Sequence, residues 1–196
     1  MDIHTTEMSL FSGYGGFSLG LRLAGLNTRT ICYVEWDKYC QRVLQQRFQD
    51  DPPTLTPAPI WDDIKSFDGR PWRGIVDILS AGFPCPPHSN AGLRKGADDD
   101  RNLWPDTLRV ISEVAPRTGI LLENVPGILV GSDGRAPYGG TVVGQLSEIG
   151  YMSEWRVISA ASAGAPHLRK RWWLLAYPNA ELGDDRELAH AHGILR

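Results

Sequence analysis

Cysteine is scarce in this chain: Cys32, Cys40 and Cys85 are the whole complement of 196 residues. An odd count without metal-ligand spacing excludes a disulfide framework, gives no reason to expect a metal site and fits a reducing compartment. No apolar run is long enough to span a bilayer, and the amino terminus lacks the basic and apolar regions of a signal peptide. A soluble, cytoplasmic protein without membrane contact is expected. Excess positive charge is missing as well: the formal net charge is -3, which argues against a generally basic surface for polyanions. Any polyanion must be met through a narrow patch, and Arg94-Lys95 and Arg169-Lys170-Arg171 are the small basic clusters available. Repeats and low-complexity tracts are absent. What is present, 42% hydrophobic residues over this length, suits one domain with a real core.

The apolar segments alternate with helical patterns along the chain. Glu7 to Phe11 reads as a strand running into Ser12-Gly13-Tyr14-Gly15-Gly16, after which Phe17, Leu21 and Ala24 recur at helical spacing up to Gly25. Strand, glycine turn and helix make the first half of a Rossmann-like unit, in which glycines let a ligand approach the backbone. Thr30 to Val34 is a second strand ending at Glu35-Trp36-Asp37. An acid at that tip, roughly twenty residues past the turn, is placed for ribose hydroxyls, and Trp36 beside it can cover a purine face. The alternative for Glu35 is an acid favoured by a helix amino terminus. Asp37 is the expected N-cap of a helix carrying Cys40, Leu44 and Phe48 on one face, while Cys32 reads as strand core.

A proline-rich connection, Asp51 to Pro59, leads to a third short strand over Ile60 to Ile64 with Asp63 at its tip. Ile75 to Leu79 is the fourth strand, Gly119 to Leu122 the fifth, and Tyr151 to Ala161 and Trp172 to Ala176 the sixth and seventh. Helices are expected over Asn102 to Ala115, with Leu108, Ile111 and Ala115 inward, and around Val142, Val143, Leu146 and Ile149.

The fourth strand ends in Gly82-Phe83-Pro84 and delivers Cys85 to the start of a loop. Pro84, Pro86 and Pro87 restrict the backbone on both sides, so the thiol is held stiffly, as a nucleophile needs to be. The following stretch, Asn90 to Arg101, holds Gly92 and Gly96, little apolar content and charges of both signs, and is expected to move. Glu123 leaves an apolar strand into Asn124-Val125-Pro126-Gly127, where a carboxyl suits proton donation in a cleft better than a surface charge. A structural glutamate bonding the amides of that turn is the other possibility. Arg169 and Arg171 are two apart, share one side of an extended segment, and suit an anionic or carbonyl-bearing ligand.

Taken together and in order, these pieces resemble the cytosine-5 DNA methyltransferases across residues 8 to 177. Phe11 to Gly16 resembles the first motif of that family, Glu35-Trp36 the second, Asp63-Ile64 the third, Gly82 to Cys85 the nucleophile motif, Glu123 to Val125 the acid motif and Arg169 to Arg171 the paired-arginine motif. The resemblance implies a Rossmann-like α/β methyltransferase fold, with a mostly parallel seven-stranded sheet flanked by helices. It implies S-adenosylmethionine as cofactor, held by Phe11, Gly13, Gly15, Gly16, Glu35, Trp36, Asp63, Ile64 and Pro84. Cys85 would add to C6 of a cytosine flipped out of duplex DNA, Glu123 would bond N3 and the exocyclic amine, Arg169 would contact O2, and Arg171 would support the site.

Two residues depart from the family pattern: Pro86 and His167 stand where the family has glutamines. Residues 1–178 are expected to form the catalytic domain and 179–196 a polar tail beginning a target recognition region that is otherwise missing. A bacterial or phage-encoded modification enzyme is therefore expected, as a fragment, as one half of a split enzyme whose second polypeptide supplies the missing region, or as a degenerate product. Methylation of transfer RNA, or a non-catalytic remnant that only binds cofactor, are the other readings.

Overall fold

The computed structural model describes residues 4–84, 102–130 and 136–180. Cys85, Pro86, the Asn90 to Arg101 segment and the tail from 181 lie outside the described residues.

Seven strands form one sheet: β1 (Thr5–Leu10), β2 (Thr28–Val34), β3 (Ile60–Trp61), β4 (Ile78–Ala81), β5 (Gly119–Asn124), β6 (Tyr151–Ser159) and β7 (Lys170–Pro178). Their order is β3-β2-β1-β4-β5-β7-β6. The first five run parallel, and β7 is antiparallel to both β5 and β6. The helices among them are α1 (Gly16–Leu23), α2 (Lys38–Phe48), α3 (Trp104–Val114) and α4 (Tyr138–Glu148). The mostly parallel α/β sheet is the one expected from the alternating pattern. Chain order reverses at β1, which has β2 on one side and β4 on the other, and such a switch point opens a crevice at the strands' carboxyl ends.

Two apolar layers hold the sheet. The larger buries Met8, Leu10, Leu79, Ile120, Leu122 and Leu174 beneath Trp104, Val110 and Ile111 of α3 and Val142 and Leu146 of α4. The smaller joins Tyr33, Leu44 and Leu55, with Leu19 and Phe48 packed against them, and seats α1 and α2 on the opposite face. Each fully buried Leu or Ile contributes about 1.5–3 kcal/mol relative to exposure.

Element ends differ from the sequence reading where polar clamps intervene. β4 begins at Ile78 rather than Ile75 because the Asp77 carboxylate accepts the Thr6 N–H and the Arg117 guanidinium, leaving Ile75 outside the ladder and half exposed. β3 stops at Trp61, since Asp63 turns the chain by accepting the Lys65 N–H. Ala115 does not face inward. It caps α3 at φ 48, its N–H donating to the Ile111 carbonyl, and Pro116 prevents continuation. Cys40 is only half-buried, on the rim of α2 rather than in a core.

Candidate active site

Six segments meet at the carboxyl end of the parallel strands. β1, β2, β4 and β5 deliver Phe11 to Gly16, Glu35-Trp36, Gly82 to Pro84 and Glu123 to Val125, and Asp63 follows β3. The sixth arrives by reversal. Because β7 is antiparallel to β5, with Asn124 opposite Trp172 and Glu123 opposite Trp173, its first residues, not its last, reach this end. That is how Arg171 meets an acid 48 positions earlier in the chain.

The glycine turn is a built structure. The Ser12 hydroxyl donates to the Ser9 carbonyl at 2.8 Å, and the Gly15 N–H donates to the Ser12 carbonyl at 2.8 Å. Phe11, Gly13 and Gly15 all have positive φ. Gly15 is required twice over: φ is 76, and a Cβ there would lie 2.3 Å from Leu55 Cδ1. Gly13 and Gly16 differ, with nothing within 4 Å of where a Cβ would be, so bare backbone faces open space. A turn with one packed glycine and two open ones has the form of a ligand cradle.

Glu35 is 9% exposed and ties this turn to the tip of β2. Its carboxylate accepts the Gly13 N–H at 2.6 Å and the Asp37 N–H at 2.7 Å, one on each oxygen. Lone pairs remain for ligand hydroxyls. Asp37 is the N-cap of α2, as its position predicts, accepting from Tyr39 and Cys40 amides that hold its carboxyl below the usual range. Trp36 projects between these anchored residues, 71% exposed. Tyr14 and Tyr39, in edge-to-face contact, extend the aromatic lip; the sequence reading missed both. Ile64 is buried in the core and its carbonyl accepts from Arg109 of α3, so its side chain is not exposed to a ligand.

On the other side of the switch point, Arg171 Nε stands 2.5 Å from Glu123 Oε1. Both side chains are about a quarter exposed, so the pair opens to solvent on one side. Glu123 Oε2 and the Phe17 ring lie 3.5 and 3.6 Å from the position a Gly82 Cβ would take, and Phe17 packs edge-on against Trp173. Among the described residues Glu123 bonds the guanidinium, not the amides of the Val125 turn. Arg169 is exposed and has no ion pair among the described residues.

Asn124 is a further contributor, whose task is not apparent from the sequence. Buried to 4%, it donates from Nδ2 to the Phe83 carbonyl at 2.9 Å and accepts the Val125 N–H at 2.8 Å. The Phe83 ring is packed on Trp104 with centroids 4.9 Å apart. Backbone and side chain of Phe83 are thus both fixed immediately before the exposed Pro84. The signal was an amide leaving an apolar strand, where an unpaired polar group is costly. The other two thiols are poor nucleophiles: burial pushes Cys32 up to about 12, and burial with the Glu35 and Asp37 charges raises Cys40.

An α/β sheet whose switch point carries a glycine cradle, a buried strand-tip acid and an aromatic lip defines a nucleotide-type binding fold. Comparison narrows it. The model of the C-5 cytosine-specific DNA methylase family matches residues 5–189. The type II methyltransferase M.NgoMIV of Neisseria gonorrhoeae is 33% identical over 178 residues, 89% of this chain and 52% of that protein. M.NaeI of Lentzea aerocolonigenes is 33% identical over 174 residues, 88% of this chain and 40% of that protein. The Dnmt2 methyltransferase of S. pombe shares the fold at TM-score 0.70 and 22% identity, over 90% of this chain and 51% of that one. The chain belongs to the C-5 cytosine-specific DNA methylase family, and it spans about half the length of the curated relatives it matches.

Proposed function

We propose that this chain is the catalytic portion of a DNA cytosine-5 methyltransferase that uses S-adenosylmethionine. The observation that carries the reading is the Glu123–Arg171 pair beside the Gly82 to Pro84 segment, across the switch point from the glycine cradle. The cradle fits the cofactor: Gly13 and Gly16 offer open backbone, Glu35 has free lone pairs for ribose hydroxyls, and Trp36 offers a flat face for the purine. When bound there, the sulfonium supplies an electrophilic methyl group.

Cytosine C5 is too weak a nucleophile unaided, so the Cys85 thiolate adds to C6 and a C6–S bond forms as electron density moves to C5. Glu123 bonds N3 and the exocyclic amine, where charge accumulates. O2 and N3 are neighbouring sites on the pyrimidine, and the 2.5 Å pair supports giving O2 to Arg171, with exposed Arg169 left for the backbone phosphate. Once C5 is methylated, transfer of the C5 proton to a water molecule would expel the Cys85 thiolate and restore the ring. A base inside a duplex must first be flipped out to meet these groups.

Sequence readout and most phosphate contacts are assigned to a second polypeptide or further segment, in keeping with a chain of net charge -3 that spans half of its relatives. By itself the chain binds cofactor and methylates poorly. The test is covalent trapping on duplex DNA containing 5-fluorocytosine, with cofactor and the completing polypeptide. A denaturation-resistant adduct that disappears in Cys85→Ser supports the reading. No adduct on DNA, with an adduct on the matching RNA, would give the chemistry to RNA instead. Arg171→Ala is expected to lower the trapping rate about a hundredfold, and more than Arg169→Ala does.

A further inference from the structure

At the opposite end of β1 from the glycine turn, about 20 Å along a six-residue strand, a second recess opens. Its volume is about 430 Å³, within the range of small-molecule sites. The amino-terminal ends of β1 and β2, the last turn of α1 and the proline-rich connection before β3 surround it. In a chain that is acidic overall, this recess is lined by Arg22, Arg29 and His4 and, among the described residues, by no carboxylate. Neither arginine forms an ion pair among the described residues. The Asp50 carboxylate, just before the connection, accepts the Thr54 hydroxyl and does not line the recess.

The cations are partly pre-positioned. Arg22 Nη1 donates to the Thr54 carbonyl at 2.7 Å, which orients the guanidinium and leaves its remaining N–H groups for a ligand. His4 Nδ1 is held by Asn27 Oδ1 at 2.8 Å, which fixes the ring and leaves Nε2 free. Arg29 projects from the outward face of β2, between buried Thr28 and Thr30. Pro53 and Pro57 form a rigid apolar wall facing this basic side. Two guanidiniums without a counter-ion among the described residues suit the tetrahedral oxygens of a phosphate, and the volume exceeds that of a lone phosphate and leaves room for a compact body against the prolines.

From this arrangement we infer that the recess binds a small phosphomonoester, as a site separate from the methyl-transfer centre and independent of the function proposed for it. The test is calorimetric titration of the full chain with ribose 5-phosphate, with ribose and inorganic phosphate as separate arms. Saturable binding of ribose 5-phosphate, absence of binding by ribose, and about tenfold weaker binding by Arg22→Gln/Arg29→Gln are expected. Both side chains are exposed, so the variant should lose no more stability than the single Arg22–Thr54 bond supplies and remain folded at the titration temperature. The charge-keeping Arg22→Lys/Arg29→Lys variant should retain part of the affinity. Ribose binding as well as its phosphate, or ribose 5-phosphate binding undiminished in the glutamine variant, would overturn the inference. So would a lack of phosphate-ester binding together with weaker duplex DNA binding in that variant, since the recess would then be a nucleic-acid backbone contact.

Discussion

Gly15 and Asn124 show what single residues contribute on the two sides of the crevice. Any side chain at Gly15 must take up φ 76 and displace Leu55. Gly15→Ala is therefore expected to cost about 1–3 kcal/mol of stability and to loosen the cradle, read as a lower urea midpoint with weaker cofactor binding. Alanine at Gly16, where nothing lies within 4 Å, should leave the urea midpoint nearly unchanged, so the pair of variants separates packing from ligand contact. Asn124→Ala leaves the Phe83 carbonyl without its donor, at a cost of roughly 1–3 kcal/mol. It also frees the backbone that leads to Cys85. Alkylation of Cys85 by a thiol reagent should then change in rate while the Glu123–Arg171 contact survives, and an unchanged rate would confine Asn124 to stability. At this scale the sequence was readable where chemistry restricts residue type: the positive φ of Gly13 and Gly15 suits glycine, and Glu35 and Asp37 stand at the tip of β2 where their positions put them. It was unreadable where pairing depends on strand direction. Nothing in the spacing of Arg169 and Arg171 says which meets Glu123, because that follows from the antiparallel register of β5 and β7.

Polar clamps, rather than hydrophobic periodicity, decided where elements begin. The Asp77 carboxylate joins β1, β4 and the turn before β5, accepting the Thr6 N–H and hydroxyl on one oxygen and Arg117 on the other. Burial acts to raise its pKa, but these donors outweigh burial and hold the carboxyl below its ordinary value. A depressed folded pKa means the clamp contributes fully above the ordinary aspartate value near 4 and is lost as pH falls through the folded one. Asp77→Asn should accordingly unfold more readily than wild type at neutral pH. The two urea midpoints should converge on acidification, and a constant gap down to pH about 2 would show that the charge is not the source. The apolar pattern from Ile75 extended the fourth strand by three residues because periodicity cannot see Arg117, 40 positions away. α2 shows the opposite case: Asp37 caps it locally, through amides two and three residues on, and its start was legible for that reason.

Across the whole molecule, the two faces of the sheet are unequally covered. α3 and α4 close one face, whereas α1 and α2 lie on the other over β1, β2 and β3. On that second face, β7 and the edge strand β6 present Leu175 at 51%, Met152 at 48% and Ile158 at 43% exposure, and no described helix covers them. Register puts all three on one side: Met152 pairs with Tyr177, Glu154 with Leu175 and Ile158 with Arg171, while Leu174 and Ala176 point into the core. Hydropathy alone could not separate the two sides, because β7 is apolar at nearly every position from Trp172 to Ala176. Exposed apolar side chains, though interrupted by Glu154 and Arg156, beside a strand edge unpaired among the described residues favour association with another surface. Purified alone, the chain should therefore self-associate with rising concentration in sedimentation velocity runs. Leu175→Lys with Ile158→Lys should shift it toward monomer with little change in the thermal midpoint, since both side chains are about half exposed. A monomer at every concentration, or a variant that unfolds earlier, would mean that these side chains are covered within the chain itself.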